Sequence, residues 1–212
     1  MPSLNIQLTE AEITQRLAKA GQVSKNFEYS DFSFPSGLLQ GEPRPAAVLI
    51  PLLKNNDAWH ILFTRRHTGL AEHSGQVAFP GGRCEPDDEN LLQTALREAR
   101  EEIGLDPAQV RILGRLPDYI TITNYRVSPF VGVIPWPYPM RIATDEVMRA
   151  FTIPLTWLAD PANHEERQRD LPPPYEPITV IYFHPYDGEV LWGASARFTL
   201  VLLNQLKIMG RS

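Results

Sequence analysis

Apolar and polar positions alternate with two rhythms along the chain. In residues 8–20, LTEAEITQRLAKA, Leu8, Ile13 and Leu17 recur near helical spacing, and Thr9 followed by Glu12 has the form of a capping box, which predicts a short N-terminal helix. Residues 21–44 are polar and rich in Gly, Pro and Ser, and are expected to form a loop or arm. AAVLIPLL (46–53) and WHILFTRR (59–66) read as strands of a hairpin joined by KNNDA. Residues 68–75 read as a loop, and QVAFPGG (76–82) as a short strand running into a glycine turn. The helical period returns over 88–103. Strands follow at 110–119 and 125–134, linked by ITITN, and then the Pro-rich IPWPYPM. Residues 144–160 read as a strand running into a helical turn, and 161–177 as a polar, Pro-rich loop. ITVIYFH (178–184) and EVLWG (189–193) read as a hairpin turning at Pro185–Gly188, and ASARFTLVLLNQLKIM (194–209) as an amphipathic C-terminal helix.

Strands, a helix, more strands and a final helix predict a mixed sheet packed between helices, α+β in class. The expected organisation is an N-terminal helix and arm over 1–44 and one domain over 45–212. A chain of 212 residues with 43% hydrophobic and 21% charged positions buries a core without covalent staples, and wholesale disorder is excluded. The single Cys84 rules out an intrachain disulfide framework and agrees with a reducing, cytoplasmic setting. No N-terminal signal pattern is read, and no apolar run approaches the roughly 20 residues of a spanning helix, so no membrane partner is expected. The net charge of −5 argues against a nucleic-acid-binding surface; an anionic ligand would need metal ions or local arginines to offset repulsion.

The helix at 88–103 carries the candidate chemistry. At roughly 100° per residue, Glu98, Glu101 and Glu102 fall within about 100° of arc, while Leu92, Leu96, Ala99 and Ile103 form a separate apolar stripe. Gly104 is placed to end the helix. A solvated charged face accounts for such a run. Like charges at i, i+3 and i, i+4 repel, however, and carboxylates are the preferred ligands of Mg²⁺ and Mn²⁺, so a divalent ion would turn the repulsion into binding. Gly81 and Gly82, just upstream, permit close backbone approach and can aim a carbonyl at such an ion.

Gly82, Glu89, Arg97-Glu98-Ala99-Arg100-Glu101-Glu102, Gly104 and Leu105 together resemble the box of the Nudix hydrolases, G-x5-E-x7-R-E-U-x-E-E-x-G-U. The front departs from the pattern: six residues, not five, separate Gly82 from Glu89, and Arg83 holds the strict glycine position. The resemblance implies the Nudix fold, an α/β/α sandwich, and hydrolysis of a nucleoside diphosphate linked to another moiety. It implies Glu98, Glu101, Glu102 and the Gly82 carbonyl as ligands of Mg²⁺ or Mn²⁺. The glutamates and Arg97 make up the catalytic set, and Arg97 and Glu89 brace loop and helix by ion pairing. The general base is not fixed by it.

The stretch LFTRRHTGLAEHSGQVAFPGG (62–82) resembles the motif of the coenzyme A pyrophosphatase group, through Leu62, Thr64, Arg66, Gly75, Phe79, Pro80, Gly81 and Gly82. Phe63, His67 and Ala71 depart from it; Ala71 stands where Arg is usual and removes one cation. The implied substrate is coenzyme A or a derivative, with Arg66, Gly75, Phe79 and Gly81 as binding positions. ADP-ribose or another nucleoside diphosphate derivative is the alternative substrate, and a non-catalytic nucleotide-binding module the alternative of another class. A homodimer is one admitted assembly. Outside the motifs, Glu146, Glu165 and Glu166 are acids that could reach a metal, and Asn124, Tyr125 and Arg126 could meet substrate. Arg66 could equally cap the sheet. His73 reads as a solvated loop residue, Trp136 as an adenine platform or loop packing, and Trp192 as core.

Overall fold

The first helix starts where its cap predicts. In α1, Glu10–Val23, the Thr9 hydroxyl accepts from the Glu12 amide at 3.2 Å and the Glu12 carboxylate accepts from the Thr9 amide at 2.8 Å. Ile13 and Leu17 from this helix are fully or almost fully buried. The computed structural model describes residues 6–23, 34, 38–68 and 75–210, with side chains from 20 to 23 excluded. Most of the arm at 21–44, together with Ala71 and His73, lies outside the described residues.

Strands β1 (Arg44–Asn55) and β2 (Ala58–Arg66) form the expected hairpin, and its turn is tighter than KNNDA suggests. Asn55 pairs with Ala58, leaving Asn56 and Asp57 as a two-residue loop, both at positive φ (48° and 61°), a turn whose twist suits paired strands. The next elements are β3 (Val77–Ala78), β4 (Gly81–Arg83), α2 (Leu91–Ile103), β5 (Arg111–Arg115), β6 (Tyr119–Ile120) and β7 (Tyr125–Val133). Then come β8 (Val147–Pro154), α3 (Leu155–Leu158), β9 (His164–Arg169), β10 (Ile178–Phe183) and α4 (Gly193–Gln205).

The main sheet runs β3-β2-β1-β7-β5, with β4 on β1, β6 on β7 and β8 on β2. It is mixed because β1 and β7 are parallel while the other pairs are antiparallel. Both faces of β1 are covered, which is why its sequence is almost continuously apolar. Ala47, Leu49 and Leu53 join Ala95, Ala99 and Ile103 of α2 on one side. Ile50 and Leu52 join Ile13, Leu17, Phe198 and Leu202, from α1 and α4, on the other. The expected helix–sheet–helix sandwich is the result.

Three expectations change. The stretch read as a polar loop contains β9, and β10 pairs with it rather than with EVLWG, which makes only the isolated bridges Tyr182–Trp192 and Tyr186–Glu189. HEERQR has no apolar face, so no alternation betrays it; its charges suit an exposed edge. The strand read over 110–119 divides into β5 and β6 around Leu116–Asp118. Trp192 is half-buried and stacked on Tyr182 (centroids 5.4 Å apart, planes 5° apart), while its neighbour Leu191 is the core residue.

Candidate active site

Helix α2 is fastened at both ends. The Asn90 side chain accepts from the Gln93 amide at 3.0 Å, and Gly104 closes the helix at φ 69°. Its apolar stripe fixes its rotation against β1, and that rotation turns the acidic arc toward β4. Gly81 and Gly82 are in the short strand β4 rather than in a turn, paired with Val48 and Ala47. Neither is at positive φ; what each position needs is the absence of a Cβ. A Cβ on Gly82 would stand 2.3 Å from Glu98 Oε1, and one on Gly81 would stand 2.4 Å from the Ala47 carbonyl oxygen. The Gly81 backbone faces Glu102 and favours its charged form.

The three glutamates sit at three depths. Glu101 is more than half exposed, Glu98 is largely covered, and Glu102 is 1% exposed. Burial pushes the Glu102 carboxyl up to about 8; the Arg66 guanidinium opposes this, and the Glu98 and Glu146 charges add to it. Burial also raises Glu98, against the pull of Arg97. Arg66 NH1 lies 3.4 Å from Glu102 Oε1, while Glu102 Oε2 and Arg66 Nε are buried without a hydrogen-bond partner. Orphaned buried atoms of opposite sign on two paired residues mark a place that a ligand completes.

Arg97 is the hub. Its Nε and NH2 grip the two oxygens of Asp88 at 3.0 Å each, NH2 also reaches the Arg83 carbonyl, and NH1 reaches Glu98 and Glu101, each at 3.0 Å. The Thr94 hydroxyl donates to the same Asp88 carboxylate at 2.9 Å. These contacts, Arg97 first, hold Asp88 well below the usual carboxylate range. The brace expected of Glu89 therefore falls to Asp88; the Glu89 backbone amide caps onto Gln93, and its side chain is exposed. Five intervening residues after Gly82 lead to Asp88, so the extra residue lies between Asp88 and the helix, where the loop absorbs it.

The other predicted binding positions separate. Arg66 and Gly81 are at the acidic cluster. Phe79 is not at a binding surface: it is 2% exposed, with its ring 4.9 Å from Phe63 in the core, where it seats the strand leading into β4. Gly75 turns the chain toward β3 at φ 67°, and the loop before it lies outside the described residues. Trp136 packs edge-on to Tyr138, 6.3 Å away, as loop packing would have it. Of the acids outside the box, Glu165 and Glu166 are on β9, whereas the charge of Glu146 is felt by Glu98 and Glu102. The Ala143 amide donates to the Glu102 carbonyl and the His67 amide to the Glu146 carbonyl, and this ties the segment to both α2 and the end of β2.

Carboxylates with one orphaned buried oxygen beside a backbone strand form a donor set of the type hard divalent cations take. Among the described residues, no three His, Cys, Asp or Glu side chains are drawn together as a finished metal site; Arg97 NH1 spans Glu98 and Glu101 in its place.

The NUDIX domain family matches residues 42–173. The chain belongs to the Nudix family. Proteins named "Uncharacterized Nudix hydrolase NudL" from Yersinia pestis (strain Pestoides F) and Yersinia pseudotuberculosis (serotype O:1b) are each 38% identical over 170 residues, covering 78% of this chain and 81% of theirs. A MutT/nudix family protein from Enterococcus faecalis, 14% identical, shares the fold over 96% of this chain and 76% of its own, with a TM-score of 0.52. The protein is thus a Nudix pyrophosphohydrolase acting on nucleoside diphosphate derivatives, in a family that works with divalent metal ions. None of its described helices is long and apolar enough to cross a membrane.

Proposed function

We propose that this Nudix hydrolase cleaves the diphosphate of coenzyme A or its derivatives in the cytoplasm, giving 3′,5′-ADP and 4′-phosphopantetheine or its acylated form. The observation that carries the site is Glu102: a buried carboxyl with one oxygen on Arg66 and the other orphaned. Glu98, Glu101, Glu102 and the Gly82 carbonyl would hold Mg²⁺ or Mn²⁺. Bound there, the ion supplies charge neutralisation, polarisation of the P–O bond and a more acidic water.

The chain's own groups do the rest. Gly82 leaves room for Glu98 to lie flat against β4. Arg97, anchored by Asp88, fixes the rotamers of Glu98 and Glu101. Arg66 brings a cation to the diphosphate side of Glu102, and its orphaned Nε is a donor for a phosphate oxygen. Glu146 is the fourth carboxylate near the site and a candidate to take the proton of the attacking water. The resemblance of residues 62–82 to the coenzyme A group supports the substrate. Ala71, where that group has Arg, favours ADP-ribose or another nucleoside diphosphate derivative as the second reading.

A panel of coenzyme A, acetyl-coenzyme A, ADP-ribose, NADH and diadenosine tetraphosphate, with Mg²⁺ or Mn²⁺, tests the proposal. Coenzyme A compounds should be turned over at least about tenfold better than the others in kcat/KM, the equivalent of about 1.4 kcal/mol in the transition state. Preference for ADP-ribose would overturn the substrate and leave the family standing.

A further inference from the structure

The helix that carries the acidic arc also forms one wall of a cleft. With Glu98 at zero around α2, Glu101 lies at about −60°, Gly104 at about −120° and Arg100 at about −160°. Glu101 therefore stands between the other acids of the arc and this second side of the helix. There a cleft of about 520 Å³ opens, lined by Arg100, Glu101, Gly104, Pro139, Arg141 and Ile142. Sites for small molecules usually measure roughly 300–1,000 Å³.

Backbone contacts fix the opposite wall. The last carbonyls of a helix have no partner within it. Here the Ala143 amide donates to the Glu102 carbonyl at 3.0 Å and the Arg141 amide to the Ile103 carbonyl at 3.2 Å, so the segment 139–143 is fastened along the helix end. Gly104 lets it lie close, since a Cβ there would stand 2.8 Å from the Arg141 Cβ. Arg141 thus borders from the segment the cleft that Arg100 borders from the helix. Both arginines are exposed, and among the described residues neither side chain has an ion pair, a hydrogen bond or a ring contact. Glu101, the one acid lining the cleft, already has Arg97 at 3.0 Å. Two cations without a counterion therefore share a cleft whose third charged wall is a carboxylate of the arc. The guanidinium fork matches the oxygens of a phosphate.

We propose that Arg100 and Arg141 hold a phosphate group of the substrate in this cleft, with the scissile bond toward its Glu101 end. This rests on the substrate reading above and deepens it. Two groups of such a substrate have the required chemistry: the diphosphate itself, and a phosphomonoester on the nucleoside half. In the first case the arginines serve every diphosphate substrate alike; in the second they select the one that carries the extra phosphate.

The double variant R100A/R141A tests this. Both side chains are exposed, so Tm should move by no more than about 2 °C, and Mn²⁺ affinity should stay that of the wild type. KM for coenzyme A should rise about tenfold or more while kcat falls less, and R100K/R141K, which keeps the charge, should recover part of the loss. A rise for coenzyme A and not for 3′-dephospho-coenzyme A assigns the phosphomonoester; an equal rise for both and for ADP-ribose assigns the diphosphate. Unchanged KM for all three, or a loss confined to kcat, would overturn the subsite. Calorimetry with 3′,5′-ADP, which carries both kinds of phosphate, needs no turnover. The wild type should bind it at least about tenfold more tightly than the double variant, and equal binding overturns the subsite. Failure to hydrolyse coenzyme A with this binding difference intact would remove the substrate reading and leave the subsite.

Discussion

Replacing Glu102 by Gln should stabilise the metal-free protein at alkaline pH while removing its activity. Glu102 is 1% exposed and its folded value stands at about 8, against 4.5 for an ordinary glutamate. Between those values the unfolded chain has released a proton that the folded chain keeps, so stability falls as pH rises across the interval. At 1.36 kcal/mol for each pH unit, 3.5 units give about 5 kcal/mol at pH 8 as an upper figure. Gln pays none of this, but it deprives Arg66 of a charged partner, leaving a net gain of about 2 kcal/mol. For a chain of this length that raises Tm by roughly 4–8 °C at pH 8, with little difference near pH 4.5. Thermal unfolding in EDTA at both pH values measures it. Mg²⁺ should then raise the Tm of the wild type and not that of E102Q. A variant less stable than the wild type at pH 8 in EDTA would refute the burial reasoning.

The brace can be checked by contrast. D88N should cost about 2 kcal/mol by denaturant titration, since it weakens a buried charge-assisted pair, while E89Q should stay within about 0.5 kcal/mol. Because Asp88 is held low, its contribution is full above about pH 4 and goes only in strong acid, as pH falls through the folded value. The two glycines should also separate. G81A forces a Cβ onto the Ala47 carbonyl and should cost about 3 kcal/mol of stability. G82A displaces the movable Glu98 carboxylate and should lower kcat roughly 100-fold while Tm changes little. E146Q removes a negative neighbour of Glu98 and Glu102, so the pH at which Mn²⁺ affinity is half-maximal should move down; no change, or a move up, would take Glu146 out of the site.

The apolar rhythm made the sandwich legible because most of its elements bury a face. The double-sided burial of β1 shows as AAVLIPLL, and the α2 stripe shows as Leu92, Leu96, Ala99 and Ile103. β9 escaped because HEERQR buries only part of His164, and hydrophobic periodicity is blind to an exposed edge strand. At the site, spacing along α2 placed the acids on one arc, but it could not rank them by depth. That ranking comes from β4 and β2, whose Gly81 backbone and Arg66 close over Glu102 and not over Glu101. Counting back from Arg97 chose Glu89 and counting forward from Gly82 chooses Asp88. Only the fold, in which Asp88 turns inward to Arg97 and Glu89 outward, decides between them.

The central claim, that the acidic arc of α2 is a metal platform for diphosphate hydrolysis, is tested most directly by Mn²⁺ binding and turnover measured on the same samples. Electron paramagnetic resonance titration and coenzyme A hydrolysis would be followed for the wild type and E102Q, with circular dichroism to show that both are folded. E102Q should lose Mn²⁺ affinity by roughly tenfold or more and turnover by roughly 1,000-fold or more, as expected when a charged ligand of a catalytic ion is neutralised. A folded E102Q that binds Mn²⁺ and hydrolyses coenzyme A like the wild type would contradict the platform.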